Sequence, residues 1–425
     1  MSPSELAVWL YGTRIATLRS SSTPLPGRVR WTWAEAAHRR WGLGSRVVSH
    51  LLPVDRPTRR PADAVVSALC TGLLPEGNAR THYAVAAGID PEDTYALLAR
   101  YGRDTAGALV FAAEPDADPE PAEYAPIDRG AIAQRLRDVS SASGPVGLQS
   151  TSLAGLLPKI GVGRSADGAW LEPLRGSAST WILKVAHDPD GTAADVVDTE
   201  VACLDLARRL GLTTVTAQLH TFEDVRAIAI SRYDRQLDPD GVVRRLHQED
   251  LAQALGLNTT DPARKFQRGA ALPSWAGAAD VLRVSAGRLA PLARLVTFSY
   301  LVGNTDHHAK NTSFLRHMDG TVSLASAYDI AAHLHHPGQH LSALDLAGKR
   351  DFAELSVLDV LEEIRGWGVG AGPALAAALD VTTRLVEALD EVDARHYPGV
   401  PPGAWTVLRR RAAAAHEQLK RTGLP

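Results

Sequence analysis

Leu301-Val-Gly-Asn-Thr-Asp306-His-His-Ala-Lys310-Asn311-Thr-Ser-Phe-Leu315, with Ala327-Tyr328-Asp329 closing the next apolar run, is the stretch that decides how this chain is read. Asp306 and Asn311 stand at the D-x-x-x-x-N spacing of a phosphoryl-transfer catalytic loop, and Asp329 offers a further oxygen ligand one strand on. Moving a phosphoryl group takes little covalent help and much positioning and charge neutralisation. One carboxylate must orient the attacking hydroxyl and accept its proton, which suits Asp306. Hard oxygen ligands must hold Mg²⁺ against nucleotide phosphates, which suits Asn311 and Asp329. Lys310 offsets negative charge there, and His308 and Lys310 are counted with the nucleotide-facing groups. Taken by itself, the spacing also fits an ordinary polar turn with Asn311 as a cap. The rest of the chain must decide between the two.

Outward from that stretch, the preceding region reads as a small sheet with a helix across it. Strand-like runs occur at Lys159 to Val162, Trp181 to Val185, Thr214 to Thr221 and Arg226 to Ser231, with an amphipathic helix from Asp198 to Leu210. Lys184 lies in a β-branched and aromatic run, where a charge needs a partner or a phosphate. Glu200 on the helix is a candidate partner; a water-exposed edge lysine is the alternative. Ile228-Ala-Ile-Ser231-Arg-Tyr233-Asp234-Arg235 ends a strand where Asp234 would bind ribose or metal, or else pair with Arg232 or Arg235. In Thr151-Ser152-Leu-Ala154-Gly155-Leu-Leu-Pro-Lys159, small residues would let backbone N–H groups approach a phosphate. Gly161-Val-Gly163-Arg-Ser-Ala-Asp-Gly168 lacks the third glycine of a dinucleotide fingerprint and reads as a hairpin turn.

At 425 residues the chain is long enough for two or three domains. Apolar content of 45%, charged content of 22% and a net charge of -3 exclude nothing globular and do not mark a nucleic-acid binder. Leu6 to Leu18 alternates around a Gly and predicts an opening β-hairpin, followed by a mostly helical region to about Val110. Glu114 to Glu123 is acidic and Pro-rich, a linker; a short helix from Asp128 to Val139 follows, then a flexible Ser/Gly stretch. From Gln248 onward the spacing is helical almost throughout. The expected parts are 1-113, 127-235 and 236-425, the last an all-helical lobe.

Cys70 and Cys203 are too few and too far apart for a disulfide framework or a Cys-based zinc site. No stretch approaches the ~18 uninterrupted apolar residues of a membrane span, and Met1-Ser-Pro-Ser-Glu-Leu lacks the order of a signal peptide; a cytoplasmic chain with no membrane partner is expected. His307, His308, His333, His335, His336 and His340 gather around Asp329 in the sequence, which suggests zinc and a hydrolase. The H-E-x-x-H spacing is missing, so a solvated loop is the expectation. Arg409-Arg-Arg411 reads as the solvated face of the last helix.

The order of these motifs resembles the HipA-type serine/threonine kinases, toxins of bacterial toxin–antitoxin systems. The resemblance runs through Leu73-Leu-Pro-Glu-Gly77, Tyr101-Gly-Arg-Asp-Thr-Ala-Gly107, Ser152 to Lys159, Ile182-Leu-Lys184, Ser231 to Arg235, Arg245-Leu-His-Gln-Glu-Asp250, Gly303 to Asn311 and Tyr328-Asp329-Ile. It implies an α/β, two-lobed protein-kinase-like fold, a β-rich N-lobe with an N-terminal extension and a helical C-lobe. It further implies that Asp306 is the catalytic base, that Asn311 and Asp329 bind Mg²⁺, and that Lys184 meets the ATP phosphates. Ser231 and Tyr233 would present backbone groups to adenine. Ser152 matches a serine that such kinases autophosphorylate, where about -1.5 to -2 of added charge would oppose ATP binding. Asp329 is followed by Ile-Ala in place of Phe-Gly, so activation-loop rules do not carry over. A HipB-type antitoxin, operator DNA reached through it, and a translation component such as an aminoacyl-tRNA synthetase are the implied partners. A small-molecule phosphotransferase or a non-enzymatic regulatory relative would share much of this pattern.

Overall fold

The computed structural model describes residues 3–20, 29–113, 122–140, 159–185, 194–239, 241–269, 271–284 and 288–422. The linker from 114 and the stretch 141–158, including Ser152, Ala154 and Gly155, lie outside them. The chain divides into two compact units, one comprising 1–187, 220–264 and 314–322, the other 188–219, 265–313 and 323–425.

In the first unit, the predicted hairpin forms from strands Leu6–Leu10 and Thr13–Ser20. It sits inside an antiparallel sheet of order Val29–Trp33, Thr13–Ser20, Leu6–Leu10, Leu109–Ala112. The strand Val29–Trp33 alternates buried and open positions, so Trp31 and Trp33 share the inner face, their rings edge-on at 5.2 Å. Helices Asp63–Gly72, Gly77–Ala87 and Thr94–Tyr101 follow, and Leu69, Tyr83 and Leu98 join the core formed by Leu6, Val8, Trp31 and Phe111. Burying such a tryptophan is worth about 3–5 kcal/mol against alanine.

A six-stranded sheet contains all four strand runs expected from the sequence, in the order Tyr124–Pro126, Trp170–Pro173, Lys159–Arg164, Trp181–Lys184, Val225–Ser231, Ala217–Phe222. Helix Arg129–Ser140 lays Ile132, Ala133, Leu136 and Val139, a helical period, on the same core as Ile160, Val162, Leu183 and Ala229. The glycine-rich run is a hairpin: Gly163 pairs with Leu171, and the Gly168 N–H closes the turn on Ser165 at 3.0 Å.

The second unit is mainly helical, and the predicted helix appears as Val196–Arg209. Helix Ala290–Val302 is buried along nearly its whole length, and Ala371–Glu391 and Pro402–Arg421 pack along it. The expectation of an all-helical region beyond residue 236 needs correcting. Short strands occur at Val243–Arg245, His247–Asp250, Ser313–Arg316, Val322–Leu324, Leu341–Leu346 and Lys349–Asp351. Runs of three to six residues carry too little periodicity to stand out beside long amphipathic helices.

Candidate active site

The stretch that carries Asp306 and Asn311 begins where helix Ala290–Val302 stops. Gly303 adopts φ 70°, ψ 40°, and its N–H closes on the Tyr300 carbonyl at 3.1 Å. A side chain there would be strained by the backbone, and its Cβ would fall 2.6 Å from the Leu334 Cδ1. Three residues on, the Asp306 side chain is 55% exposed while its main chain is fixed from several sides. Its N–H donates to the Asn304 Oδ1 at 3.2 Å, and its carbonyl accepts from the His308 N–H at 2.8 Å and the Asn311 Nδ2 at 2.9 Å. The Asn311 amide nitrogen is thereby engaged, which turns its oxygen into the end able to meet a cation. Asn311 and Lys310 are buried in a 3₁₀ turn, Ala309–Asn311.

Asp329 approaches the same loop through its neighbour. The Tyr328 hydroxyl donates to the Lys310 carbonyl at 2.6 Å and lies 2.6 Å from the Ser313 Oγ. Asp329 has φ 53°, a left-handed conformation that costs a non-glycine residue about 1 kcal/mol or more and is held only where the surroundings impose it. The structure thus brings the segments of Asp306, Asn311 and Asp329 together in one unit.

The histidines separate into different jobs. His307 is buried, 2.7 Å from the Ser299 Oγ and 3.1 Å from the Thr312 Oγ1, edge-on to Trp275. His308 is buried against the Phe266 edge, its Nε2 3.9 Å from the Asp306 Oδ1. The His333 Nδ1 accepts from the Thr305 N–H at 3.2 Å. His335 and His336 both reach Asp195, at 2.7 and 2.8 Å. A wholly solvated loop is therefore not what forms: only His340 of the later four is exposed. Sequence reading missed Asp195 because it lies 140 residues from His335.

Arg411 is likewise not solvated. Its guanidinium lies 4.5 Å from the Tyr300 ring centroid and donates to the Tyr300 carbonyl at 2.7 Å and to that of Leu301 at 3.3 Å. It caps the carbonyl end of the helix that presents Asp306, where a cation is favoured. Burial pushes this guanidinium below its usual range.

In the first unit, Lys184 is buried on its strand and stands directly opposite Lys159 in the antiparallel register. Opposed residues of such a pair share one face, where two like charges repel unless an anion or acid is nearby. Ser231 ends the adjoining strand, opposite Trp181, and the Tyr233 hydroxyl donates to the Gln248 Oε1 at 2.6 Å.

Asp234 corrects the ligand-binding expectation, because its carboxylate is spent inside the protein. It pairs with Arg232 at 2.8 Å and Arg235 at 3.0 Å and accepts from the Gly107 N–H at 2.7 Å. Gly107 has φ 80°, and a Cβ there would lie 2.9 Å from the Gln248 nitrogen, so the approach requires glycine. Asp104, fully buried, meets Arg235 at 2.9 Å, Arg245 at 3.3 Å, Arg232 at 3.7 Å and the Ser179 Oγ at 2.6 Å. Burial alone would push both carboxyl groups up; the guanidinium groups around them hold both below the usual range. Glu249 is also structural, paired with Arg316 and accepting from the His50 N–H at 2.8 Å.

Two compact units, one with a β-sheet carrying opposed lysines and one mainly helical with Asp306 and Asn311 on one hydrogen-bonded loop, define a mixed α/β protein of kinase-like architecture. The chain belongs to the HipA family. The HipA N-terminal domain matches residues 6–112 and the HipA-like C-terminal domain residues 151–392. A Sinorhizobium fredii protein named "Putative kinase Y4mE" is 33% identical over 343 residues, spanning 76% of this chain and 77% of its own. The serine/threonine-protein kinase toxin HipA of Shewanella oneidensis is 28% identical over 59% of each chain. The fold matches a solved structure of the S. oneidensis MR-1 toxin–antitoxin system, HipA with HipB and its operator DNA. That match has a TM-score of 0.76 at 20% identity and covers 98% of this chain and 97% of the other. Among the described residues, no helix is long and apolar enough to cross a membrane.

Proposed function

We propose that this chain is a Mg²⁺- and ATP-dependent serine/threonine protein kinase acting as the toxin of a HipA-type toxin–antitoxin pair. The observation that carries the reading is the Asn311 side chain bonded to the Asp306 carbonyl. It ties the Asn311 side chain to the main chain of Asp306, so that a base and a metal ligand acting on one phosphoryl group would start from one fixed loop. A carboxylate from Asp329 and the Asn311 oxygen would form a hard, oxygen-only donor set of the kind that suits Mg²⁺. When bound, that ion would neutralise charge building on the phosphates. Asp306, open to solvent, would orient the acceptor hydroxyl and take its proton. Lys159 and Lys184, opposed on one sheet face, would meet the nucleotide phosphates, with Ser231 and Tyr233 toward the base. Lys310 and His308 would flank the transferred group.

The finer parts of the proposal rest on family membership. Ser152, outside the described residues, would be the autophosphorylation site. A HipB-type antitoxin would restrain the chain and carry it to operator DNA, and the protein substrate would be a cytoplasmic translation component such as an aminoacyl-tRNA synthetase. Intact-mass spectrometry after incubation with ATP and Mg²⁺ tests this reading. One added phosphate on Ser152 is expected in the native chain and none in Asp306→Ala. Loss of ATP binding in the native chain with Mg²⁺ present would end the proposal.

A further inference from the structure

We propose that Asp195, His335 and His336 form a binding site for a borderline divalent transition-metal ion such as Zn²⁺, distinct from the Asn311–Asp329 pair. The three side chains are 15%, 8% and 11% exposed, and they present one ligand atom each within 4.8 Å of one another. The two imidazoles address separate oxygens of one carboxylate, the His335 Nε2 at 2.7 Å from Oδ2 and the His336 Nε2 at 2.8 Å from Oδ1. Their rings lie 4.0 Å apart, inclined at 51°. Consecutive histidines converging through the same nitrogen on one acid give a two-nitrogen, one-oxygen set, the composition of three-ligand zinc sites with an open fourth position.

Asp195 stands at the start of helix Val196–Arg209 with a helical backbone of its own, φ -78° and ψ -4°, and its side chain makes no cap bond there. Its carboxylate is engaged by the two imidazoles instead. Metal–ligand bonds of about 2.0–2.2 Å place tetrahedral ligand atoms roughly 3.4 Å apart. The two Asp195–imidazole spacings, 2.7 and 2.8 Å, would open by about 0.6–0.7 Å, within the reach of side-chain rotation. Imidazole ligands favour Zn²⁺, Co²⁺ or Cu²⁺ over Mg²⁺, which separates this site from the oxygen-only set at Asn311 and Asp329. A bound ion would tie the start of helix Val196–Arg209 to the segment following Asp329, 140 residues away in sequence.

The test is a Zn²⁺ titration of the full chain in excess Mg²⁺ against a chromogenic chelator, with Co²⁺ absorption as a second readout. One equivalent of Zn²⁺ is expected to bind. Affinity should fall on the order of 100-fold in Asp195→Asn and in the His335→Gln/His336→Gln pair, and persist in His340→Ala and Asp329→Asn. The cobalt complex should show the strong visible bands of a four-coordinate site, lost in Asp195→Asn. If the double variant fails to fold by circular dichroism, Asp195→Asn alone decides. No zinc uptake in excess Mg²⁺, or equal uptake by Asp195→Asn, overturns the proposal.

Discussion

Replacing Asp104 by alanine should be among the most damaging single changes in the first unit. Five charged side chains meet there, Arg232, Arg235 and Arg245 with Asp104 and Asp234, each no more than 5% exposed. Their formal sum is three positive and two negative, a net of +1; without Asp104 it becomes +2, buried. Near 3.3 Å, as between Asp104 and Arg245, each ion pair is worth ~5 kcal/mol gross at an effective dielectric of about 20. Dehydration of the ions offsets much of that, but removing one partner strands the rest, and the net loss is about 3–5 kcal/mol. The Ser179 N–H and Oγ, at 3.1 and 2.6 Å, lose their acceptor as well. Urea unfolding followed by tryptophan fluorescence should register this loss, with a melting point lowered on the order of 10 °C. Arg245→Ala combined with Asp104→Ala should cost clearly less than the sum of the two. Both carboxyl groups are held below their usual range, so their contribution is complete above the unfolded value of about pH 3.9 and disappears as pH falls further. A cost under about 1 kcal/mol, or strict additivity, would refute the argument that these charges act as one unit.

Asp329 and His247 offer two independent checks. Because Asp329 sits at φ 53°, Asp329→Gly should melt above Asp329→Ala by about 1 kcal/mol while both lose phosphoryl transfer; equal stabilities would remove the strain argument. His247 is buried, its Nε2 donating to the Val48 carbonyl at 2.8 Å and its Nδ1 accepting from the Ala108 N–H at 3.4 Å, so it is held neutral with its value pushed down to about 4 by burial. The unfolded chain binds this proton first, so stability should fall between about pH 6.5 and 4 by roughly 3 kcal/mol, and His247→Gln should flatten that part of the profile.

Much of this architecture is legible in residue order. Alternation in Leu6 to Leu18 gave the hairpin, and the apolar runs at 159, 181, 214 and 226 gave strands in one sheet. The Asp306–Asn311 stretch stands out in the sequence because the D-x-x-x-x-N spacing falls within six residues. What failed was partnership across distance. Asp234 carries two arginines beside it in sequence, and nothing local says that Gly107 and Asp104 complete the enclosure. Arg411 reads as one of three solvated arginines until the carbonyl ends of another helix come within reach. Asp195 carries no sign of its histidines for the same reason.

The enclosure around Asp104 also sets a timetable. Arg235 and Arg245 follow it by 131 and 141 residues. At synthesis rates of about 5–20 residues per second, the nascent chain carries an unanswered acid for roughly ten seconds before its first distant arginine is made. Until then the carboxylate stays hydrated, since closing the pocket early would bury it without partners. The N-terminal sheet can therefore collapse on its own tryptophans, but its junction with the later strands can lock only after residue 245 has been made.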